Sequence, residues 1–300
     1  MSSTSPPTWV APTAVAVTMV LWASAFVGIR HLGADFSPGA LSLGRLLVGS
    51  AALGLVALRH PWIRPSRGDW WRLIAIGTLW YAIYNVALNE GEHHVDAGTA
   101  AMLLQLSPVL LSVLAVLFLG ERFSVWLGVG LVVAFSGVAL IATGSSEDSN
   151  RDPVGVALCL LAALVYSVSV VLQKPMSGRL RAGQITWVAC TVGAVLCLPF
   201  APTLWHEATA APMSSLGWLI YLGVFPTAIA FTTYAYALTH MNASSLGVTT
   251  YLVPPITIVM GLVLLGEEPP RLAYLGGVVA LFGVWLARRT PKVEPRVVGR

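Results

Sequence analysis

The sequence predicts an all-α integral membrane protein of ten transmembrane helices, arranged as two inverted five-helix repeats around a central cavity. Three observations predict it: apolar runs of roughly membrane-spanning length, basic residues gathered in alternate loops, and an ungapped internal repeat. Of the 300 residues 56% are hydrophobic and 10% charged, with a mean hydropathy of +0.78. Soluble domains run at about 25% charged, so water is not the main solvent of this chain.

Apolar runs bounded by charge, Pro or Gly place helices at 11–30, 38–58, 70–90, 96–119, 124–143, 154–173, 184–204, 215–239, 243–265 and 271–288. Each is close to the roughly 20 residues that cross a hydrocarbon core at 1.5 Å per residue. The first run, from near Ala11 through Trp22 and Phe26 to Ile29, has no basic segment before it and no small-residue cleavage site. It reads as a retained helix and not a signal peptide. The shortest breaks fall at Gly91 to Asp96 and at Thr239 to Asn242, both polar enough to turn.

Ten spans send successive loops to alternate sides, and the basic residues sort accordingly. Arg59, Arg64, Arg67, Arg72, Arg122, Lys174, Arg179, Arg181, Arg288, Arg289, Lys292, Arg296 and Arg300, 13 of the 17, fall on one side. Arg30, Arg45, Arg151 and Arg271 fall on the other. A wrong count would scramble that asymmetry, which also predicts cytoplasmic N- and C-termini in a bacterial inner (plasma) membrane. The net charge of +4 is thereby assigned to orientation in a lipid bilayer, with no nucleic-acid partner. Cys159, Cys190 and Cys197 all lie inside apolar runs and read as packing residues.

Sliding the chain by 146 residues lays Ala97 to Ala142 on Ala243 to Arg288 without a gap. Leu106/Leu252, Pro108/Pro254, Leu119/Leu265, Gly120/Gly266, Glu121/Glu267, Gly130/Gly276, Ala134/Ala280 and Gly137/Gly283 coincide. A shift of 144 lays Trp22 on Tyr166 and Arg30 on Lys174. The unit is therefore five helices, residues 1–146 and 147–300, the second ending in a short basic tail. Five is odd, so the copies cross the membrane in opposite senses. Such an inverted pair can present one site alternately to either side, a need that a receptor or an enzyme does not share.

These residues resemble the drug/metabolite transporter superfamily, and within it the ten-helix EamA family. The resemblance rests on Trp22-Ala23-Ser24-Ala25-Phe26 ending in Arg30, on Pro38 with Arg45, and on Pro108 and Pro254. Each of the last two is followed by Leu-Gly-Glu, at Leu119 to Glu121 and Leu265 to Glu267. It covers nearly the whole chain and implies a secondary transporter that exports amino acids or other small metabolites or drugs. Among members, the aromatic and polar lining is similar to YddG-type aromatic amino-acid exporters. No cofactor is implied. In small relatives the last helix of the repeat forms a dimer interface; here both copies share one chain, so Gly130, Gly137, Gly276 and Gly283 are expected to pack internally in a monomer.

A transport path is marked by polar side chains at helical spacing inside apolar runs. In the third run Tyr81, Tyr84, Asn85, Leu88 and Asn89 share one face, either bonding neighbouring helices or lining a cavity. The repeat carries that face to Thr227, Ala230, Phe231, Tyr234 and Ala235. Gln105 corresponds to Tyr251, each three residues before Pro108 or Pro254, whose missing N–H would free a carbonyl near Leu104 or Thr250. Such paired interruptions either point to a transporter's site or only shape packing. Trp22 and Tyr166 sit within the first helix of each half, lining or packing, and Ser24 is the weakest of the candidates. The expected substrate cavity is thus Trp22, Ser24, Tyr81, Tyr84, Asn85, Asn89, Gln105, Tyr166, Tyr234 and Tyr251.

Arg45, some seven residues inside the second run, could snorkel outward and is expected to play a structural role, bonding helix ends or Asp35, ahead of binding a substrate carboxylate. Glu121 and Glu267 read as caps or partners of nearby basic groups. Glu90, Glu92, His93, His94 and Asp96 cluster, but adjacent His on a short turn point apart, so a solvated loop is preferred to a metal site. No run carries His-Glu-x-x-His, paired intramembrane Asp or a Ser/His couple, which argues against a membrane enzyme. The first run also lacks a deep carboxylate, in contrast to proton-coupled multidrug relatives.

Overall fold

The computed structural model describes residues 9–94, 103–145, 153–260, 263 and 271–287, and in them every predicted apolar run is mostly helical. The first two are α1 (Val10–Leu32) and α2 (Pro38–Ala57), the latter started by Pro38, whose absent N–H costs nothing in the first turn. The third is continuous over α3 (Arg67–Ile76), a π-helical segment π1 (Gly77–Ile83) and α4 (Tyr84–His94). Then come α5 (Ser107–Leu119), α6 (Val125–Ser145) and α7 (Pro153–Gln173). The seventh run is α8 (Ala182–Leu196) and α9 (Ala201–Ala210); the eighth is α10 (Met213–Leu222), π2 (Gly223–Ile229) and α11 (Ala230–His240). The ninth holds α12 (Ala243–Val248) and α13 (Val253–Met260), and the tenth α14 (Arg271–Ala287).

Among the described residues four helical stretches are long and apolar enough to cross a membrane: Val10–Ile29, Pro38–Ala57, Pro153–Met176 and Met213–His240. A fifth is obtained if α8 and α9, bent by 53°, count as one. The count of ten is therefore not reproduced by length and composition. The third run has charged ends, with Arg67, Asp69 and Arg72 at one and Glu90 at the other. The fourth and ninth are interrupted before their prolines and continue into residues outside the described set.

Two expectations are corrected outright. The seventh run is not one straight helix: Pro199 and Pro202 withhold N–H donors, and the chain passes through a 3₁₀ turn at Leu198–Phe200 before resuming as α9. The third run does not break at Gly91 but stays helical to His94, where Glu90 and His94 approach to 3.5 Å one turn apart. Asp96 and the side chains of Glu92 and His93 lie outside the described residues, as do Arg151, Leu265, Gly266, Glu267 and the chain after Ala287.

Packing follows the repeat. Helix α1 packs on α11 as α7 packs on α4; α1 packs on α13 as α7 packs on α5; α2 packs on π2 as α8 packs on π1. The fourth run meets the ninth where α5 packs on α12, and two contacts join equivalent elements: α2 with α8, and α6 with α14. The last is a small-residue seam. A Cβ on Gly137 would sit 2.3 Å from the Ala280 nitrogen, and one on Gly283 2.3 Å from that of Ala134. Ala134 and Ala280 are themselves repeat partners, so the glycines serve close approach within the chain.

Candidate functional site

Both π segments begin on glycine and lie 146 residues apart, at 77–83 and 223–229. A π turn holds one residue more than an α turn and leaves carbonyls for other donors. Glycine is required at the start because a neighbour is already there. A Cβ on Gly77 would lie 2.6 Å from Val192 Cβ on α8, and one on Gly223 2.5 Å from Val48 Cβ on α2. Within π2, Pro226 has no N–H for the Leu222 carbonyl, and the Thr227 hydroxyl donates to it instead at 2.8 Å. After π1, Asn85 Nδ2 donates to the carbonyls of Tyr81 at 2.8 Å and Trp80 at 3.3 Å.

Trp80 and Tyr81, both almost fully buried, share a face with Tyr84, so the third run presents all three to the centre. There they meet Trp22 from α1, Tyr166 from α7, and Phe231 and Tyr234 from α11. Trp22 lies 5.1 Å from Tyr234 and 5.6 Å from Phe231; Trp80 lies 5.0 Å from Tyr166 and 4.9 Å from Phe231, centroid to centroid. Most of these pairs are tilted or edge-on, the arrangement that ring quadrupoles favour. The hydroxyls of Tyr166 and Tyr234 are 2.7 Å apart and bonded. Trp22 and Tyr84 are only partly buried, so the cluster keeps an accessible edge.

Of the ten residues expected to line a cavity, the structure thus gathers Trp22, Tyr81, Tyr84, Tyr166 and Tyr234, packed ring against ring. It disperses the rest. Asn85 is spent on its own backbone, and Asn89 donates to Ser42 Oγ at 2.9 Å, tying the third run to α2. Ser24 bonds the Leu21 carbonyl at 2.8 Å and the Tyr221 hydroxyl at 2.7 Å. Gln105 is buried in the turn before α5. Tyr251 packs among Leu131, Ala134, Ala280 and Val284, and its hydroxyl has no hydrogen-bond partner among the described residues.

Pro108 and Pro254 stand near the starts of α5 and α13, each after a tight turn, and the carbonyls expected to be freed are taken up. That of Leu104 accepts from the Ser107 hydroxyl, and that of Thr250 from the Val253 N–H. Trp80 is the member that sequence reasoning missed. It stands four residues before Tyr84 and so shares the helical face of Tyr81 and Tyr84, a spacing that could have found it.

Arg45 does not reach Asp35. It is 6% exposed, and its Nε donates to Thr227 Oγ1 at 3.2 Å, one turn before Phe231 on the eighth run. A buried cation inside an apolar run is a functional candidate by default.

Polar clasps hold the two halves together at opposite ends of α2, which at 20 residues is about 30 Å long. At one end Arg179 donates to both Asp69 oxygens, at 2.7 and 2.5 Å, while Ser66 and Asp69 cap α3 reciprocally. The guanidinium holds the Asp69 carboxyl well below the usual carboxylate range; burial opposes this and the Ser66 hydrogen bonds reinforce it. At the same end the Glu121 carboxylate caps α12 through the Ala243 and Ser244 nitrogens, at 2.6 and 3.1 Å. Within the second half Lys174 donates to the carbonyls of Leu238, at 2.6 Å, and Met241. At the opposite end Ser215 Oγ donates to Asp35 Oδ2 at 2.5 Å. The repeat lays Asp35 on Arg179 and Asp69 on Ser215, so the ion pair and the hydroxyl contact occupy equivalent positions.

A family model described as the EamA-like transporter family matches the chain twice, over residues 10–143 and 153–289. The chain belongs to that family. It is a multi-pass membrane transporter with a duplicated arrangement, and not an enzyme. A protein of Streptantibioticus cattleyicolor described as "Probable terminal-alkyne amino-acid exporter" is 38% identical over 278 residues, 92% of each chain. The "Uncharacterized transporter YdfC" of Bacillus subtilis is 35% identical over 266 residues, 88% of this transporter and 86% of that one. A crystal structure at 19% identity superposes with a TM-score of 0.74 over 93% of this chain and 96% of the other, a likeness of fold.

Proposed function

We propose that this transporter is a secondary carrier that exports amino acids, aromatic and other neutral ones first, by alternating access. The observation that carries the reading is the aromatic cluster. It is built from equivalent helices of the two halves, α1 with α7 and the third run with the eighth, where an inverted pair would move one half against the other. Ring faces attract flat, apolar or cationic groups, and the Tyr166–Tyr234 hydroxyl pair offers polar atoms to a zwitterion. Arg45, whose Nε donates to Thr227 one turn before Phe231, adds a buried positive charge near the cluster. The relative described as an amino-acid exporter supports the substrate class.

In this reading the chain is ten spans in two inverted halves, 1–146 and 147–300. It is a monomer in a bacterial inner membrane, with both termini on the cytoplasmic side with the basic loops. Substrate enters at the accessible edge of Trp22 and Tyr84 and parts the rings, and no cofactor takes part. The purified chain in liposomes preloaded with unlabelled phenylalanine should accumulate labelled phenylalanine by counterflow. Trp22→Ala and Tyr234→Ala should lose that uptake. Absence of counterflow with every common amino acid would falsify the assignment.

A further inference from the structure

A cavity of about 630 Å³ lies away from the aromatic cluster, between the end of α2, the start of α8, and π2 with α11. Its floor is apolar, with Leu53, Val56, Ala228 and Ile229, and its mouth carries Arg181, His60 and Trp62. Val56 and Ile229 are exposed on the outside of the bundle, so the cavity is a groove open to whatever surrounds these helices.

The repeat supplies a control within the molecule. A shift of 144 carries Val56 to Phe200, Gly183 to Gly39 and Arg181 to Ser37. At the counterpart position the groove is filled. The bend before α9 drops the Phe200 ring onto Gly39, where a Cβ would lie 2.4 Å from Phe200 Cδ1. At Gly183 the nearest atom to such a Cβ is Thr232 Cγ2, at 3.8 Å. The chain therefore plugs one groove with its own ring and leaves the other open. It places an arginine at the open mouth and a serine at the closed one.

We propose that the open groove seats one anionic phospholipid, its acyl chain along Val56 and Ile229 and its phosphate at Arg181. A groove between membrane helices with a basic mouth fits an anionic headgroup. Arg59 and Arg64 flank His60 and Trp62 in the loop after α2, adding basic residues beside the mouth. The Trp62 ring, 46% exposed, stands where indoles anchor at the headgroup level.

The test counts retained lipid by native mass spectrometry after the chain is exchanged into detergent doped with phosphatidylglycerol or phosphatidylcholine at equal mole fraction. The chain should keep one phosphatidylglycerol that phosphatidylcholine does not replace. Arg181→Ser should weaken that retention about fivefold, and Arg181→Lys should preserve it. Val56→Phe, which installs the counterpart's plug, should abolish it. Equal retention of the two lipids, or phosphatidylglycerol retention unchanged in Arg181→Ser, overturns the proposal. Arg181 is exposed, so its replacement leaves the core intact and decides the matter even if Val56→Phe fails to fold.

Discussion

Removing the Tyr166–Tyr234 hydrogen bond one hydroxyl at a time should cost more than removing it whole. The pair is 2.7 Å apart, with Tyr234 fully buried and Tyr166 6% exposed. Hydrogen bonds between membrane helices are worth about 0.6 kcal/mol on average and at most about 1.7. A buried hydroxyl left without its partner costs about 1–3 kcal/mol, whereas removing both polar groups from a packed site is nearly neutral. Tyr166→Phe and Tyr234→Phe should each therefore destabilise the chain by about 1–3 kcal/mol, and the double variant by about 1 kcal/mol or less. Equilibrium unfolding in mixed detergent micelles, run as a double-mutant cycle, reads the difference as a favourable coupling in the double variant. Additive single effects would refute the reasoning, because the two hydroxyls would then be satisfied independently. If the proposed function holds, the double variant should still transport phenylalanine, its rings being intact, and should lose polar discrimination between substrates.

Other consequences are as direct. Asp69 has a depressed folded pKa, so its contribution is complete above the unfolded carboxylate value of about 4 and disappears only as pH falls through the folded value. The melting difference between the native chain and Asp69→Asn should be constant from pH 5 to 8 and narrow below about pH 4. Gly137→Val would drive side-chain atoms into the backbone of α14, which no rotamer relieves, so a loss of about 1–3 kcal/mol is expected in the same unfolding assay. Glu121→Ala leaves the first nitrogens of α12 without their acceptor. It should cost about 0.5–2 kcal/mol, with faster amide exchange confined to residues 243–248.

The repeat was visible in the sequence because Pro, the Gly-Glu pair and spaced Gly recur too specifically for chance, and the pairing of helices in the structure follows it. Trp22 and Tyr166 were visible for the same reason, as rings at repeat-related places inside apolar runs, and Tyr234 as the residue that the repeat lays on Leu88 of the third-run face. Asn85 and Asn89 misled, since a shared helical face does not say whether an amide points at a cavity, at its own carbonyls or at a neighbouring helix. Trp80 was overlooked although it stands four residues before Tyr84, because the polar face was counted from Tyr81 onward. What the sequence does not announce is π1 itself, whose wide turn carries no signal but a glycine. The bend before α9 was legible in principle from Pro199 and Pro202, but their apolar neighbours made the run look uninterrupted.

The two π segments bear on the history of the chain as well as on its shape. A π turn is what remains when one residue is inserted into an α-helix without being expelled. Here the same insertion stands at the same register in both halves, 77–83 and 223–229. Two independent insertions would have no reason to agree, so the extra residue was in place before the ancestral unit was copied. Both halves of this chain thus carry a helix with one widened turn at the same place. Deleting one residue from either would close the wide turn into an α turn, leaving the flanking turns in register and shifting the residues within it, Trp80 with Tyr81 or Pro226 with Thr227, against their neighbours. A defect in one short ancestor has thus become a constraint that neither copy can repair alone.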